Sequence, residues 1–233
     1  MTDPSPRGTR LVLVHGSMSS SAQWADYPAL LPEFDVVAVD LPGHGSRRAE
    51  PFSTPAALAA ISLAAGDRPV VLVGHSLGGY LAGLAAAGMG ERVVGLVLIG
   101  ATGNPRGRVA GPYRGFAWLT RRVSHRHLSR MRVAVARRLG VREGLLPGDA
   151  SYADLPAIWR AVADDCPPRI LRGLSCPVLF INGRYDQMRI DERRYLSVVH
   201  RGELAIVPGA THFSPLTHAP VVADLIRSFV ARL

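Results

Sequence analysis

The chain has 233 residues, 48% of them hydrophobic, and a formal net charge of +9, which fits one globular α/β domain with an insertion. Every basic residue is arginine and no nucleic-acid-binding motif accompanies them, so we predict no nucleic-acid partner. No apolar run approaches the roughly 18 to 20 residues of a membrane span, and the polar stretch 1–10 lacks a signal-peptide core. We expect a cytoplasmic monomer or homodimer, with Cys166 and Cys176 as reduced thiols rather than a disulfide.

Buried strands alternate with helices along most of the chain. In chain order we predict a strand at 10–14, a helix at 22–32, a strand at 35–40, a helix at 54–65 capped by Thr54, a strand at 70–73, a helix at 77–87, a strand at 93–99, a strand at 178–182, a helix at 191–199, a strand at 203–207 and a helix at 220–232. This alternation predicts an α/β fold, a doubly wound and mostly parallel sheet of about six strands flanked by helices.

The alternation stops between the fourth and fifth strands. Residues 104–172 contain no clear buried strand, and 114–139 and 155–163 have helical composition. We therefore predict a core made of 1–103 and 173–233, with 104–172 as a helical cap inserted before the last two strands. From Arg106 to Arg142 there are eleven arginines and no carboxylate, which is typical either of a solvated basic helix or of a surface that attracts an anionic substrate.

One stretch carries the clearest chemical signal. Four apolar residues, Val70 to Val73, lead directly into Gly74-His-Ser76-Leu-Gly78, and an alanine-rich helical segment follows. A buried strand, an exposed serine and an immediate helix form the context of a nucleophile elbow, in which the flanking positions must be small. Ser76 is therefore the candidate nucleophile, and His75 is expected to pack or bond beneath the elbow.

An activated serine needs a base and an acid that orients the base. In a parallel sheet such groups lie on loops at the carboxyl ends of the strands, which selects Asp186 after the strand at 178–182 and His212 after the strand at 203–207. Asp191 and His218 are the competing acid and base, but both fall in or next to helices. The order serine, acid, histidine is the one this architecture uses.

A tetrahedral oxyanion needs fixed hydrogen-bond donors. We predict the backbone N–H groups of Leu77 and of Ser17, with Met18 as the alternative to Ser17. Apolar side chains on the cap and nearby loops are candidates for a substrate pocket: Met18, Phe116, Trp118, Met131 and Phe213.

Taken together, these pieces resemble the α/β-hydrolase fold superfamily. The matching motifs are Leu13-Val-His15-Gly16-Ser17, Asp40-Leu-Pro-Gly-His44-Gly45, Gly74-His-Ser76-Leu-Gly-Gly79, Asn182-Gly-Arg-Tyr-Asp186 and Gly209-Ala-Thr-His212. The resemblance implies Ser76 as nucleophile, His212 as base, Asp186 as its partner and a cap that selects the substrate. The chain departs from many members because an N-terminal antiparallel strand pair is not apparent and the cap is short.

The sequence thus predicts hydrolysis of a carboxylic ester of a small, largely apolar molecule through an acyl-enzyme on Ser76. Thioesterase, lactonase and C–C hydrolase or lyase activity remain open, as does a ligand receptor that retains the triad. A serine nucleophile needs no metal and no organic cofactor, and no Cys/His spacing indicates a metal site.

Overall fold

A computed structural model describes residues 9–107, 111, 115, 118, 123–147 and 154–233. It contains one sheet of six strands, all paired in parallel. The strands are β1 (Arg10–Val14), β2 (Asp35–Val39), β3 (Val70–His75), β4 (Val93–Ile99), β5 (Val178–Gly183) and β6 (Gly202–Val207). Their order across the sheet is β2-β1-β3-β4-β5-β6, so the predicted doubly wound parallel α/β fold is confirmed.

Helices cover the sheet and connect its strands. They are α1 (Tyr27–Leu30), α2 (Thr54–Ala65), α3 (Leu77–Met89), α4 (His125–Arg138), α5 (Leu155–Asp165), α6 (Glu192–Val198), α7 (Ser214–Thr217) and α8 (Ala219–Val230). The continuous helix expected at 22–32 is instead a 3₁₀ turn at Ser21–Trp24 followed by the one-turn α1. Pro28 lies in the first turn of α1, where a missing N–H is tolerated, so it begins a new helix and does not continue an old one.

Two further helix boundaries differ from the sequence prediction for physical reasons. Pro215 and Pro220 each sit in a first turn, so the end of the chain forms α7 and then α8, and the sequence prediction missed α7. The N-cap of α2 is Ser53, whose hydroxyl accepts the Ala56 N–H at 3.3 Å, and not Thr54. The Thr54 hydroxyl donates instead to Asp165 at the end of α5, at 2.7 Å.

The sheet separates two apolar layers because alternate strand residues face opposite sides. Leu11 and Leu13 pack with Val71 and Val73 against the layer that contains α8. Their neighbours Val12 and Leu72 pack on the other face, in the layer that contains α2 and α3. Strands buried on both faces explain the continuous apolar runs in the sequence.

The chain reverses its direction of winding at β1. It passes from β1 to β2 on one side and then returns to add β3 on the other. The loops that follow β1 and β3 therefore diverge, which leaves a crevice at the carboxyl ends of the strands. His15 and Gly16 follow β1 at this point, and Ser76 follows β3.

Helices α4 and α5 lie between β4 and β5, and within the described part of 104–172 there is no strand. Most of the first part of the helix predicted at 114–139, up to residue 122, lies outside the described residues. Helix α4 corresponds to its second half. Buried Ile158 and Val162 of α5 pack into the same core layer as α3. Where the chain leaves the core after β4, the Asn104 N–H donates to Asp191 at 2.8 Å.

Two other features concern the length of the helices and the state of the cysteines. Among the residues that the structure describes, no helix is long and apolar enough to cross a membrane. Cys166 and Cys176 are both buried and are not bonded to each other.

Candidate active site

Ser76 occupies a strained turn between β3 and α3. Its φ of 52° is in the left-handed region, which a residue with a side chain rarely adopts. The turn is possible because its neighbours are glycines: a Cβ at Gly74 would lie 2.2 Å from the Gly78 carbonyl oxygen, and one at Gly78 would lie 2.2 Å from that of Val14. The backbone therefore places the Ser76 hydroxyl at the edge of the sheet, in the crevice.

Three side chains from separate loops meet there. His212 Nε2 lies 3.0 Å from Ser76 Oγ, and His212 Nδ1 lies 3.0 and 3.1 Å from the two Asp186 oxygens. Because a carboxylate accepts only, Nδ1 carries the proton and donates it, which leaves Nε2 to accept from the serine hydroxyl. The arrangement is that of a serine paired with a base whose tautomer is held by an acid.

Asp186 is buried, and the loop around it supplies its partners. Its Oδ1 accepts the Met188 N–H at 2.8 Å. Burial by itself raises the pKa of Asp186, but the contacts with His212 and the Met188 N–H outweigh burial and hold that pKa below its ordinary value. Asp186 is therefore a carboxylate at neutral pH and can stabilise a positive charge on His212.

The two competing residues take other positions. Asp191 accepts the Asn104 N–H and anchors the loop after β4. His218 Nδ1 is 2.8 Å from the hydroxyl of its neighbour Thr217, between α7 and α8. The structure brings neither residue onto Ser76, whereas it brings Asp186 and His212 there.

The loop after β1 is held by a buried histidine that the sequence prediction did not assign. His15 Nδ1 donates to the Gly16 carbonyl at 2.7 Å, and its Nε2 accepts the Leu41 N–H at 3.1 Å. Burial, with a smaller contribution from His44, lowers the pKa of His15 to about 3, so this ring is neutral. The His-Gly pair in the sequence was the available signal, but it shows only a turn and not the contact with Leu41.

Ser17 and Leu77 line a small cavity together with Ser76. The Leu77 N–H is in the first turn of α3, where amides have no partner within the helix. Next to Ser17, Met18 has a φ of 57°, and its carbonyl accepts from Arg132 of α4. The two residues whose amides are the predicted donors therefore share one cavity lining with Ser76.

His75 lies beneath the elbow, where it is bonded to the loop that carries His212 and lies next to Gln23. Its Nε2 donates to the His212 carbonyl at 2.9 Å, and its Nδ1 is 3.2 Å from Gln23 Oε1, which also accepts the Gly16 N–H at 3.3 Å. Burial first, and then the neighbouring His212, lower the pKa of His75 to about 3. Gln23 gave no signal in the sequence, because its contacts with Gly16 and His75 are made only in the fold.

The cavity at Ser76 is about 10 Å³, which is room for a single water. Besides Ser17, Ser76 and Leu77 it is lined by Tyr80, Ile158, Trp159 and Val162. Of the predicted pocket residues that the structure describes, none is in this lining. Trp118 and Met131 are more than half exposed, Met18 is in the loop above, Phe213 packs against the cluster between α4 and α7, and Phe116 lies outside the described residues.

Comparison with known proteins identifies the class. The sequence model of the Alpha/beta hydrolase family matches residues 11–225, so the chain belongs to that family. The fold agrees: an esterase from Thermogutta terrifontis superimposes with a TM-score of 0.78 over 97% of this chain and 90% of the other, at 23% identity.

Curated relatives share a shorter stretch. The chain is 42% identical over 94 residues to the lipase LipV of Mycobacterium tuberculosis, which is 39% of this chain and 36% of the relative. It is 41% identical over 98 residues to the pimeloyl-[acyl-carrier protein] methyl ester esterase of Xylella fastidiosa, which is 41% of this chain and 37% of the relative. The matched part thus spans just over a third of the length of each relative.

Proposed function

We propose that this protein is a serine hydrolase that cleaves a carboxylic ester of a small, largely apolar molecule through an acyl-enzyme on Ser76. The observation that carries the proposal is the contact of Ser76 Oγ with His212 Nε2 at 3.0 Å, on a histidine whose other nitrogen is held by Asp186. Membership of the family supports it, and so do the two relatives whose names are those of a lipase and a methyl ester esterase.

The proposed reaction has two halves. The Ser76 oxygen adds to the ester carbonyl while its proton passes to His212 Nε2, and the tetrahedral intermediate collapses as the departing alcohol takes that proton. Water then gives a proton to His212 and adds to the acyl-enzyme, and the carboxylic acid leaves as Ser76 regains the proton. Asp186 stays ionised throughout and stabilises the imidazolium that forms twice.

The negative oxygen of each tetrahedral intermediate needs donors that are already in place. We assign this role to the N–H groups of Ser17 and Leu77, two residues that line the cavity together with Ser76. The Ser17 amide follows Gly16, which is fixed from both sides by His15 and Gln23. A donor that does not have to reorganise stabilises the transition state more than the ground state.

We also propose that residues 104–172 act as a cap over this site. Ile158, Trp159 and Val162 of α5 contribute an apolar wall opposite Ser76 and Leu77. No charged side chain lines the cavity among the described residues, which favours an uncharged acyl group.

The test is hydrolysis of aryl esters that differ in acyl length, with the wild-type protein, Ser76→Ala, His212→Ala and His218→Ala. We expect Ser76→Ala and His212→Ala to lose at least about a thousandfold in kcat. His218→Ala, the matched histidine next to α8, keeps its activity. Undiminished turnover in Ser76→Ala would refute the assignment.

Product analysis separates the other activities. An esterase releases one acid and one alcohol for each water consumed, over many turnovers. A receptor would release at most one equivalent per protein molecule, and a C–C hydrolase would leave simple esters untouched while cleaving a ketone.

A further inference from the structure

A second small cavity lies behind the one at Ser76, and Tyr80 stands between them. We call them the rear cavity and the site cavity. The rear cavity is also about 10 Å³ and is lined by Gly79, Tyr80, Gly83, Leu98, Ala101, Cys166, Pro167, Ile170, Leu171 and Tyr195. Among the described residues, Tyr80 is the only one that lines both cavities.

The two cavities follow the direction of α5. Val162 lines the site cavity, and Cys166, one turn later at the end of that helix, lines the rear cavity. On the opposite side α3 runs along both, with Leu77 at the site cavity and Gly83 at the rear cavity. The rear cavity therefore extends the site away from Ser76, between the same two helices.

Tyr80 is fixed in this position. It lies on α3 one turn after Ser76 and is 5% exposed. Its hydroxyl donates to the Gly103 carbonyl at 2.5 Å, and the Tyr195 hydroxyl donates to the same carbonyl at 3.4 Å. A buried ring with a bonded hydroxyl is a rigid partition, because leaving its place would cost that hydrogen bond.

We propose that Tyr80 determines the substrate class of the site by limiting the acyl group to a short chain. This inference rests on the proposed function. The ring lines the site cavity that contains Ser76 and also the rear cavity, so the further apolar space that a longer chain needs lies beyond the ring. Removing the ring joins the two cavities into one apolar channel.

The gain expected from that channel follows from the hydrophobic effect. Each methylene buried in an apolar cavity contributes roughly a fourfold increase in binding. Hexanoate has four methylenes and acetate none, so a channel that accepts two of the four raises the preference for hexanoate by more than about tenfold.

The experiment compares kcat/KM for aryl hexanoate and aryl acetate in the wild type, Tyr80→Ala and Tyr80→Phe. We expect the hexanoate-to-acetate ratio to rise at least about tenfold in Tyr80→Ala. It stays within about twofold of wild type in Tyr80→Phe, which keeps the ring and loses only the hydrogen bond. An active Tyr80→Ala protein with an unchanged ratio overturns the inference, and so does a Tyr80→Phe protein with the full rise.

A second variant confines the effect to the rear cavity. In the Tyr80→Ala background, Cys166→Leu fills the space behind the removed ring, so the hexanoate preference should return to the wild-type value. If the preference persists, the chain goes elsewhere and the inference fails. Tyr80→Leu replaces Tyr80→Ala in both comparisons should the alanine variant not fold, since leucine is also shorter than the tyrosine ring.

Failure of the proposed function is distinguishable from failure of this inference. If the wild type hydrolyses no ester, the proposed esterase activity is wrong, and the partition is then tested with hexanamide and acetamide, neutral carbonyl ligands that need no turnover. The ratio of their dissociation constants, from ligand-dependent thermal stabilisation, must move towards hexanamide in Tyr80→Ala for the inference to stand. An unchanged ratio overturns it.

Discussion

Gly100 follows β4 and lies directly behind the acid and the base. Its φ is 58°, and a Cβ there would lie 2.8 Å from Asp186 Oδ2 and 3.0 Å from His212 Nδ1. We expect Gly100→Ala to displace both side chains and to lower kcat by about tenfold to a hundredfold, since a displacement of about 1 Å at a reacting group has that effect. Steady-state kinetics on an aryl ester measures it.

The matched control for Gly100→Ala is Gly88→Ala. Gly88 is an exposed residue of α3, and a Cβ there would meet nothing within 4 Å. This variant should keep full activity and gain about 0.5–1 kcal/mol in the free energy of unfolding, because alanine is the better helix former. Equal kcat values in the two alanine variants would show that Gly100 does not position the acid and the base.

The two neighbouring aspartates give a second prediction. Asp186→Asn removes the charge that stabilises protonated His212. The asparagine amide can also donate to His212 Nδ1, which reverses the direction of the hydrogen bond there, so kcat should fall by at least about a hundredfold. Asp191→Asn keeps an oxygen that accepts the Asn104 N–H and should stay within about threefold of wild type. A larger loss in Asp191→Asn would mean that the wrong acid has been assigned.

Among single residues, the sequence identifies those whose position in the fold follows from chain order. Ser76 directly follows β3, and Asp186 and His212 lie on the loops after β5 and β6, so topology alone brings them to the carboxyl end of the sheet. Gln23 and Gly100 could not be found in this way. The Gln23 contact with Gly16 depends on how one irregular loop folds back on itself, and the approach of Gly100 to Asp186 depends on packing between segments far apart in the sequence.

Helix α4 is attached to the loop that carries Ser17 through one arginine. Arg132 is partly buried, and its guanidinium donates to the carbonyls of Met18 and Pro147. We expect Arg132→Met to lower the free energy of unfolding by about 2 kcal/mol, since hydrogen bonds to a charged group contribute about that much. It should also lower kcat/KM, because the adjacent Ser17 amide is less well fixed. Chemical denaturation and kinetics test both.

Arg130→Met is the control for this helix. Arg130 is exposed on the same turn of α4, so its replacement changes charge and size equally without touching the Met18 loop. Both quantities should stay at their wild-type values. Parallel losses in the two variants would point to net charge, or to the helix itself, and not to the Arg132 contacts.

Among the elements, strands are predicted more accurately than helix boundaries. Both faces of β1 and β3 are buried, so their apolar runs have few alternatives. The helix boundaries depend on local competition, in which Ser53 and not Thr54 caps α2. Periodicity gave no signal for α7, since a single turn is too short to show it.

For the whole molecule, the reversal of winding at β1 explains why one region holds both Ser76 and the loop with Ser17, to which we assign the nucleophile and an oxyanion donor. The loops after β1 and β3 flank the same crevice, and β5 and β6 deliver the acid and the base from one side. The small cavity at Ser76 is formed differently, between α3 of the core and α5 of the segment 104–172. Periodicity does not determine how that insertion packs, so the cavity lining differs from the set expected from the sequence.

Acid stability is a property of the whole fold to which buried histidines, His15 and His75 among them, contribute. Burial lowers the pKa of both His15 and His75 from 6.5 to about 3, so each ring is neutral when folded and takes up a proton on unfolding below pH 6.5. The unfolded chain then binds more protons than the folded one, and stability falls as the pH falls from about 6.5 towards 3. Each ring contributes up to about 1.4 kcal/mol per pH unit in that window. The free energy of unfolding, measured by urea denaturation between pH 7 and 4, should therefore depend less steeply on pH in a His75→Asn variant, by up to about 1.4 kcal/mol per pH unit. His200→Asn, at an exposed position, should keep the wild-type slope, and a His75→Asn slope equal to wild type would mean that His75 is not neutral in the folded protein.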